Sequence, residues 1–189
     1  MTAQILTTMQ FDDPDIALAK RAGNGDLQAF REIYERHHRR VYGLVLRLAA
    51  DREAAQDVTQ EVFIQLWRNL ERFRGESKFS TWLHTVATLV AITELRKQTK
   101  RLNRLQLIGD DQTHYEEQLV QEDSADLGEL DSLIRRLPLQ MRWVFVLHCI
   151  EGMRHEDVAD ELGIAVGTSK AQVHRARTLL EEWLSYDNA

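Results

Sequence analysis

Three stretches of this chain carry residue types suited to holding a polyanion, and a fourth carries types suited to docking a protein. The first runs Arg72-Phe73-Arg74-Gly75-Glu76-Ser77-Lys78-Phe79-Ser80-Thr81-Trp82 and interleaves cations, hydroxyls and aromatics. Cations hold phosphates and aromatic faces stack on unpaired bases, which is what a single-stranded nucleic-acid site requires. Arg74, Lys78, Phe79 and Ser80 are the candidate contacts, with Phe79 lining the base pocket or the core beneath it. The competing reading is hydrophobic anchoring of a loop, and it is preferred for Phe73 and Trp82. The second stretch is the densest basic cluster in the chain, Arg96, Lys97, Lys100, Arg101 and Arg104. The third opens the last periodic segment, where Thr168, Ser169, Lys170, Gln172 and Arg175 lie near a helix start. Gln pairs bidentately with adenine, and Lys or Arg with guanine or phosphate, when such a helix enters a major groove.

The fourth stretch is Asp57-Val58-Thr59-Gln60-Glu61-Val62-Phe63-Ile64-Gln65-Leu66-Trp67. Val58, Val62, Leu66 and Leu70 recur at helical spacing with Phe63 beside them, so they define a buried face. Asp57, Gln60, Glu61, Ile64 and Arg68 fall on the opposite face. Acidic residues a turn apart with an apolar Ile64 between them suit a docking face, with an ordinary charged exterior as the alternative.

Chemistry that makes or breaks bonds has no candidate. There is no nucleophile beside a base, no paired-carboxylate site and no phosphate-cradling glycine loop, so no catalytic residue is assigned and the chain is read as non-enzymatic, without a cofactor. A metal is not expected either. His37 and His38 are sequence neighbours and point apart on a helix, and are read as solvated polar surface. His155-Glu156 has Ala159 where a zinc-protease helix needs its second histidine.

These stretches need helices to position them. Asp13 followed by Pro14 reads as a helix cap and start, with Gly23 to Gly25 as its end. Asp26 caps the next helix, whose inward set is Leu27, Phe30, Tyr34, Val41, Leu44, Val45 and Leu48, and Asp51 caps the helix that holds the docking face. His84 to Thr93 is rich in β-branched residues, yet it runs without a turn signal into strongly helix-forming Glu94 to Arg101, so a single helix is expected. From Gln106 to Ile134 lysine and arginine are absent while acidic residues accumulate, the composition of a solvated linker. Beyond it Leu127, Leu130, Ile134 and Leu137 share a helix face, Pro138 starts a second helix and Gly152 stops it. Val158, Ala159, Leu162, Gly163 and Ile164 then give the pattern of two helices crossing at a tight turn, a helix-turn-helix.

Composition sets the bounds. The chain has 189 residues, 43% hydrophobic and 29% charged, with a formal charge of −6, so nucleic-acid contact must come from local patches. The lone Cys149, in an apolar run and read as a core residue, excludes an internal disulfide framework and fits a reducing compartment. No apolar run reaches membrane-span length and the first residues lack a basic signal-peptide start, so a cytoplasmic protein without membrane insertion is expected.

Gln56 to Trp67, followed by Arg72 to Leu83, resembles the second conserved region of bacterial RNA polymerase sigma factors of the extracytoplasmic-function group of the sigma-70 family. Gly167-Thr168-Ser169-Lys170-Ala171-Gln172-Val173-His174-Arg175-Ala176-Arg177 resembles the fourth conserved region. The resemblance covers roughly residues 14–101 and 127–184. It implies an all-α protein of two small helical domains joined by an acidic linker. Residues 1–106 would form the region 2-like domain for core binding, −10 recognition and melting, 107–126 the linker, and 127–189 the region 4-like helix-turn-helix domain for the −35 element. It also implies core RNA polymerase as partner, with the β′ clamp against Asp57, Gln60, Glu61 and Ile64, Trp67 at the margin, and the β flap as a further contact. Promoter DNA follows, with an anti-sigma factor or, as the weaker alternative, a Ser/Thr kinase acting at Thr59. The chain departs from the family pattern at Gln56 (usually acidic), at Ser169 (usually apolar) and at Gln172 (usually arginine). Thr85, Thr88, Leu89 and Thr93 stand where a basic or polar melting series is usual. Two other functions fit the same residues: a helix-turn-helix regulator working without core polymerase, and a non-initiating decoy for polymerase or an anti-sigma partner.

Overall fold

The computed structural model of the protein describes residues 13–108 and 128–187. Among them the elements are helices and turns, without a strand. The first four helices are α1 (Pro14–Gly23), α2 (Leu27–Ala49), α3 (Arg52–Asn69) and α4 (Phe79–Ile108). Each of the three expected caps is made. Asp13 accepts from the Asp15 amide at 3.0 Å, Asp26 from Gln28 and Ala29, and Asp51 from Ala54 at 2.7 Å. Asp13 does more than its position in the sequence suggests: its other oxygen accepts from the Phe79 amide at 2.8 Å, so one carboxylate caps α1 and α4, 66 residues apart.

The β-branched segment 84–93 is helical as expected, inside α4. Burial overrides its strand propensity, since Ala87, Thr88, Ala91 and Ile92 all lie in the core between helices. Helices α2, α3 and α4 pack on one another with α1 across them. Val58, Val62, Phe63, Leu66 and Leu70 form the buried face of α3.

The second group comprises α5 (Glu129–Arg136), α6 (Leu139–Phe145) continued by a π-helical turn (Val146–Ile150), α7 (His155–Leu162) and α8 (Val166–Asp187). Gly163 takes a left-handed conformation (φ 65°) between α7 and α8, as the helix-turn-helix requires, and the Ile164 amide closes the turn on the Ala159 carbonyl at 3.0 Å. Val158, Val173, Ala176 and Leu180 are its interior. Residues 109–127, most of the expected linker, lie outside the described residues, whereas Leu107 and Ile108 belong to α4.

Four expectations need correcting. Leu27 is 71% exposed and Tyr34 is 39% exposed, not inward. Leu130 is exposed, and Leu133 takes the core position on α5. His37 is not solvated surface: its Nε2 meets the Asp15 carboxylate at 2.8 Å, beside Arg36 on the same group at 2.6 Å. Cys149 is half-buried instead of a core residue.

The two helical groups share a continuous core, and polar contacts between them are specific. Arg47 meets Asp131 at 2.7 Å, and His84 meets Glu151 at 2.5 Å. Arg142, in the middle of an apolar run, is buried and donates to the carbonyls of Leu48, Arg135 and Leu137, while the Trp143 indole N–H donates to Leu48 at 3.0 Å. These carbonyls lie at the C-terminal ends of α2 and α5, where no intrahelical donor remains and the helix dipole favours a cation. Burial pulls the Arg142 pKa down to about 10.

Candidate polymerase and nucleic-acid interface

The docking face of α3 stands clear of the core. Asp57, Gln60 and Ile64 are exposed and Glu61 is half-buried, its carboxylate accepting from the Gln65 amide nitrogen at 2.7 Å. Beside it the α2 and α3 side chains leave an open groove of about 890 Å³, lined by Leu27, Phe30, Tyr34, Phe63, Ile64 and Trp67 among others. Its walls are built from ring contacts. Phe30 packs edge-on against Trp67 at 4.9 Å, and Tyr34 against Phe63 at 4.7 Å. Trp67 is therefore part of the groove wall. Sequence reading missed the α2 half of this groove, although its signal is present: Phe30, Tyr34, His38 and Tyr42 recur every four residues, a stripe of rings along one helix face.

Thr59 lines the same groove but is only 2% exposed, with its hydroxyl buried and without a hydrogen-bond partner. It sits mid-helix with its hydroxyl buried, so this arrangement does not present it to a kinase, the weaker of the two regulatory alternatives.

The loop before α4 divides into an outside and an inside. Arg74 and Lys78 are exposed, with Arg74 3.9 Å from Glu76. Phe79 is fully buried and touches Phe73 (5.4 Å), Trp82 (6.0 Å) and His37 (5.6 Å) edge-on or tilted. It cannot touch DNA from there. Its part is to anchor the loop, the role expected for Phe73 and Trp82, which share the cluster at 5.2 Å. Gly75, at φ 75°, takes the left-handed conformation that makes the turn. Ser80 is half-buried and faces a cavity of about 200 Å³ between the two helical groups, with Arg40, Arg47, His84 and Glu151.

Along α4, Lys97, Lys100 and Arg101 are exposed, and Lys97 pairs with Glu94 at 2.7 Å. Arg96 departs from expectation. Its guanidinium donates to the Glu161 carbonyl at 2.9 Å and lies over the Trp143 ring, so here it joins the helical groups instead of standing free for phosphate. Burial raises the Glu161 carboxyl above its usual range, with Arg96 opposing.

On α8, Thr168, Lys170 and Arg175 are exposed, as a groove-entering face needs. Two residues assigned to that face are elsewhere. Ser169 is fully buried and hydrogen-bonded to His155, so it makes no DNA contact in this arrangement. Gln172 is half-buried with its amide oxygen buried and unpartnered, so base reading would require its side chain to turn out. Among the described residues no group of histidine, cysteine and carboxylate side chains is placed to hold a metal, and no helix is long and apolar enough to cross a membrane.

Exposed cations around an aromatic-anchored loop, a helix-turn-helix with exposed basic residues and an apolar groove between α2 and α3 together suit a helical DNA-binding protein. Comparison with known proteins narrows the class. Residues 33–101 match the model of Sigma-70 region 2, and residues 127–180 match that of Sigma-70, region 4. The chain is 33% identical over 177 residues to the ECF RNA polymerase sigma-E factor of Haemophilus influenzae, covering 88% of this chain and 93% of that one. Among solved structures it is similar to CnrH in complex with the cytosolic domain of CnrY (25% identity, TM-score 0.54, covering 93% of this chain and 99% of that one). The fold is also that of RpoE in complex with the anti-sigma factor NepR from Bartonella quintana (23% identity, TM-score 0.59, covering 85% and 99%). The chain belongs to the extracytoplasmic-function sigma factors of the sigma-70 family, non-enzymatic factors that direct promoter-specific transcription.

Proposed function

We propose that this protein docks core RNA polymerase on its α2–α3 face and reads promoter DNA with the α4 and α8 faces. The observation that carries the reading is the apolar groove with Asp57, Gln60 and Glu61 beside it. An exposed groove of this size with charges at its margin is the anatomy of a protein interface, apolar where contact is made and polar at the rim. The β′ clamp is its occupant: Asp57 and Glu61 meet clamp cations, and Ile64 and Trp67 meet clamp apolar side chains. The β flap is assigned to the helices that follow residue 128.

For DNA, Arg74 and Lys78 hold phosphates around the unstacked −10 strand, Lys97, Lys100 and Arg101 extend the track, and Thr168, Lys170 and Arg175 meet the −35 element. The division into a 1–106 unit, a 107–126 linker and a 127–189 unit belongs to the same reading. So does an anti-sigma partner, of the kind with which the similar RpoE of Bartonella quintana was solved in complex. A cytoplasmic location follows from the polymerase partner.

The test is core binding by Glu61→Lys and Ile64→Arg, followed by run-off transcription. Glu61→Lys sets a cation against a clamp cation and Ile64→Arg sets one against clamp apolar side chains, and both should lose core binding while keeping helicity. Undiminished core binding by both removes the groove from the assignment. In run-off, promoter-specific product supports the sigma-factor mechanism, DNA binding without product supports a polymerase-independent regulator, and core binding alone supports a decoy.

A further inference from the structure

Ser169 is the anomaly of the reading helix: a hydroxyl, fully buried, between Thr168 and Lys170, which both face outward. Its hydrogen-bond partner is His155, the first residue of α7, with Nδ1 2.9 Å from the serine oxygen. The residues buried where α7 meets α8 include the apolar Val158, Ala159, Val173 and Ala176, whose attraction is non-directional and does not by itself fix the rotation of one helix on the other. A directional bond at the fourth residue of α8 removes that freedom where the helix would meet bases.

His155 is itself held. The His148 ring stacks on it, centroids 3.8 Å apart at 20°, and the His148 Nδ1–H donates to the Met153 carbonyl at 2.8 Å, which fixes that ring. A chain of contacts therefore runs from the π-helical turn after α6 through His148 and His155 to Ser169. We propose that His155 is the positioning residue of the DNA-reading helix, setting it through Ser169, and that protonation of this histidine weakens −35 recognition.

Every element packed on His155 brings a titratable or charged group. His148 comes from the π-helical turn, Glu156 from α7, and Lys170 and Arg177 from α8. Burial first, then His148, Lys170 and Arg177, hold the imidazole below its ordinary value, and Glu156 alone pulls the other way. In this proposal the serine hydroxyl donates to the neutral Nδ1; protonation makes Nδ1 a donor, so the bond must reverse and the serine proton turn to another acceptor. The charged ring also lies face to face with a second imidazole and is repelled by the α8 cations Lys170 and Arg177, so α8 is pushed from its seat. The sign follows: a histidine depressed in the folded state contributes stability that is complete above its unfolded value near 6.5, and that is lost as pH falls through the lower folded value.

The inference rests on reading α8 as the groove-entering helix, and the experiment separates the two. Holoenzyme reconstituted from core polymerase and the full chain selects duplexes from a random-sequence pool at pH 8, with core alone as control. Affinity for the selected duplex is then measured from pH 8 to pH 5 for wild type, His155→Gln, which keeps a hydrogen bond to Ser169 without titrating, and Ser169→Ala. Wild-type affinity is expected to fall about five- to tenfold more across this range than affinity for a random duplex of equal length. His155→Gln should match wild type at pH 8 and lose the extra fall, and Ser169→Ala should bind more weakly at pH 8 with a flatter profile. A wild-type profile in His155→Gln, or in a Ser169→Ala variant shown to be folded by circular dichroism, overturns the inference and leaves the reading of α8 intact. Failure of the holoenzyme to enrich any duplex over core alone refutes that reading, and this inference with it.

Discussion

Arg142→Met removes the guanidinium that joins the ends of α2 and α5 while retaining most of the aliphatic stem. Three bonds are lost, at 3.2 Å to Leu48, 2.8 Å to Arg135 and 3.1 Å to Leu137, with Ala49 at the edge of range at 3.4 Å. Each charge-assisted bond contributes about 1.5–3 kcal/mol. Against that stands the cost of burying the cation, which the fall from 12.5 to about 10 puts at about 3 kcal/mol. The variant recovers that cost but strands the carbonyls, at about 1–3 kcal/mol for each one left dry. Leu48 keeps the Trp143 N–H, so the Arg135 and Leu137 carbonyls suffer most. The expected net loss is about 3–5 kcal/mol, independent of pH between about 5 and 9 because the arginine is charged in both states there. The assay is urea unfolding followed by far-ultraviolet circular dichroism and by tryptophan fluorescence in a background with Trp67, Trp82 and Trp183 replaced by Phe, so that Trp143 alone reports. Because Arg142 bonds to both helical groups, the two probes should also separate, the α5–α8 group unfolding first. A loss under about 1 kcal/mol with coincident transitions would refute the argument that this cation satisfies both helix ends.

Asp26→Ala should cost about 1 kcal/mol in thermal unfolding, since one carboxylate oxygen caps two α2 amides. In a double-mutant cycle by urea unfolding, Arg47 and Asp131 should couple by about 0.5–1 kcal/mol, the value of a half-exposed pair, and removal of either should loosen the contact between the two helical groups. Lys78→Ala and Lys97→Ala should each lower the magnitude of the salt slope of promoter binding by about 0.7–0.9, whereas Arg96→Ala should change it less, because that guanidinium is already engaged by Glu161. Gln172→Arg should alter −35 preference at one position by about 1–3 kcal/mol if the side chain turns outward, as measured on single-base promoter variants; a uniform change would assign it to the backbone or the helix interior.

The sequence by itself determined the helices and the order of the two conserved regions. Asp13, Asp26 and Asp51 cap amides two or three residues away, and Val58, Val62 and Leu66 share a face through 3.6-residue periodicity. Gly163 supplies its left-handed turn from its own missing Cβ. Such effects act within one or two turns of chain, so local spacing displays them. What only the tertiary structure decided is which polar and aromatic side chains meet. The Phe79 amide finds Asp13 across 66 residues, Arg142 finds the end of α2 across 94, and Arg96 finds the Glu161 carbonyl across 65. Ser169 groups with the DNA contacts by its place near the start of α8, but it lies inward, where a histidine fourteen residues earlier shares a hydrogen bond with its buried hydroxyl. A buried polar atom must be satisfied, but sequence spacing does not say from where, so these pairings become visible only when the helices are packed.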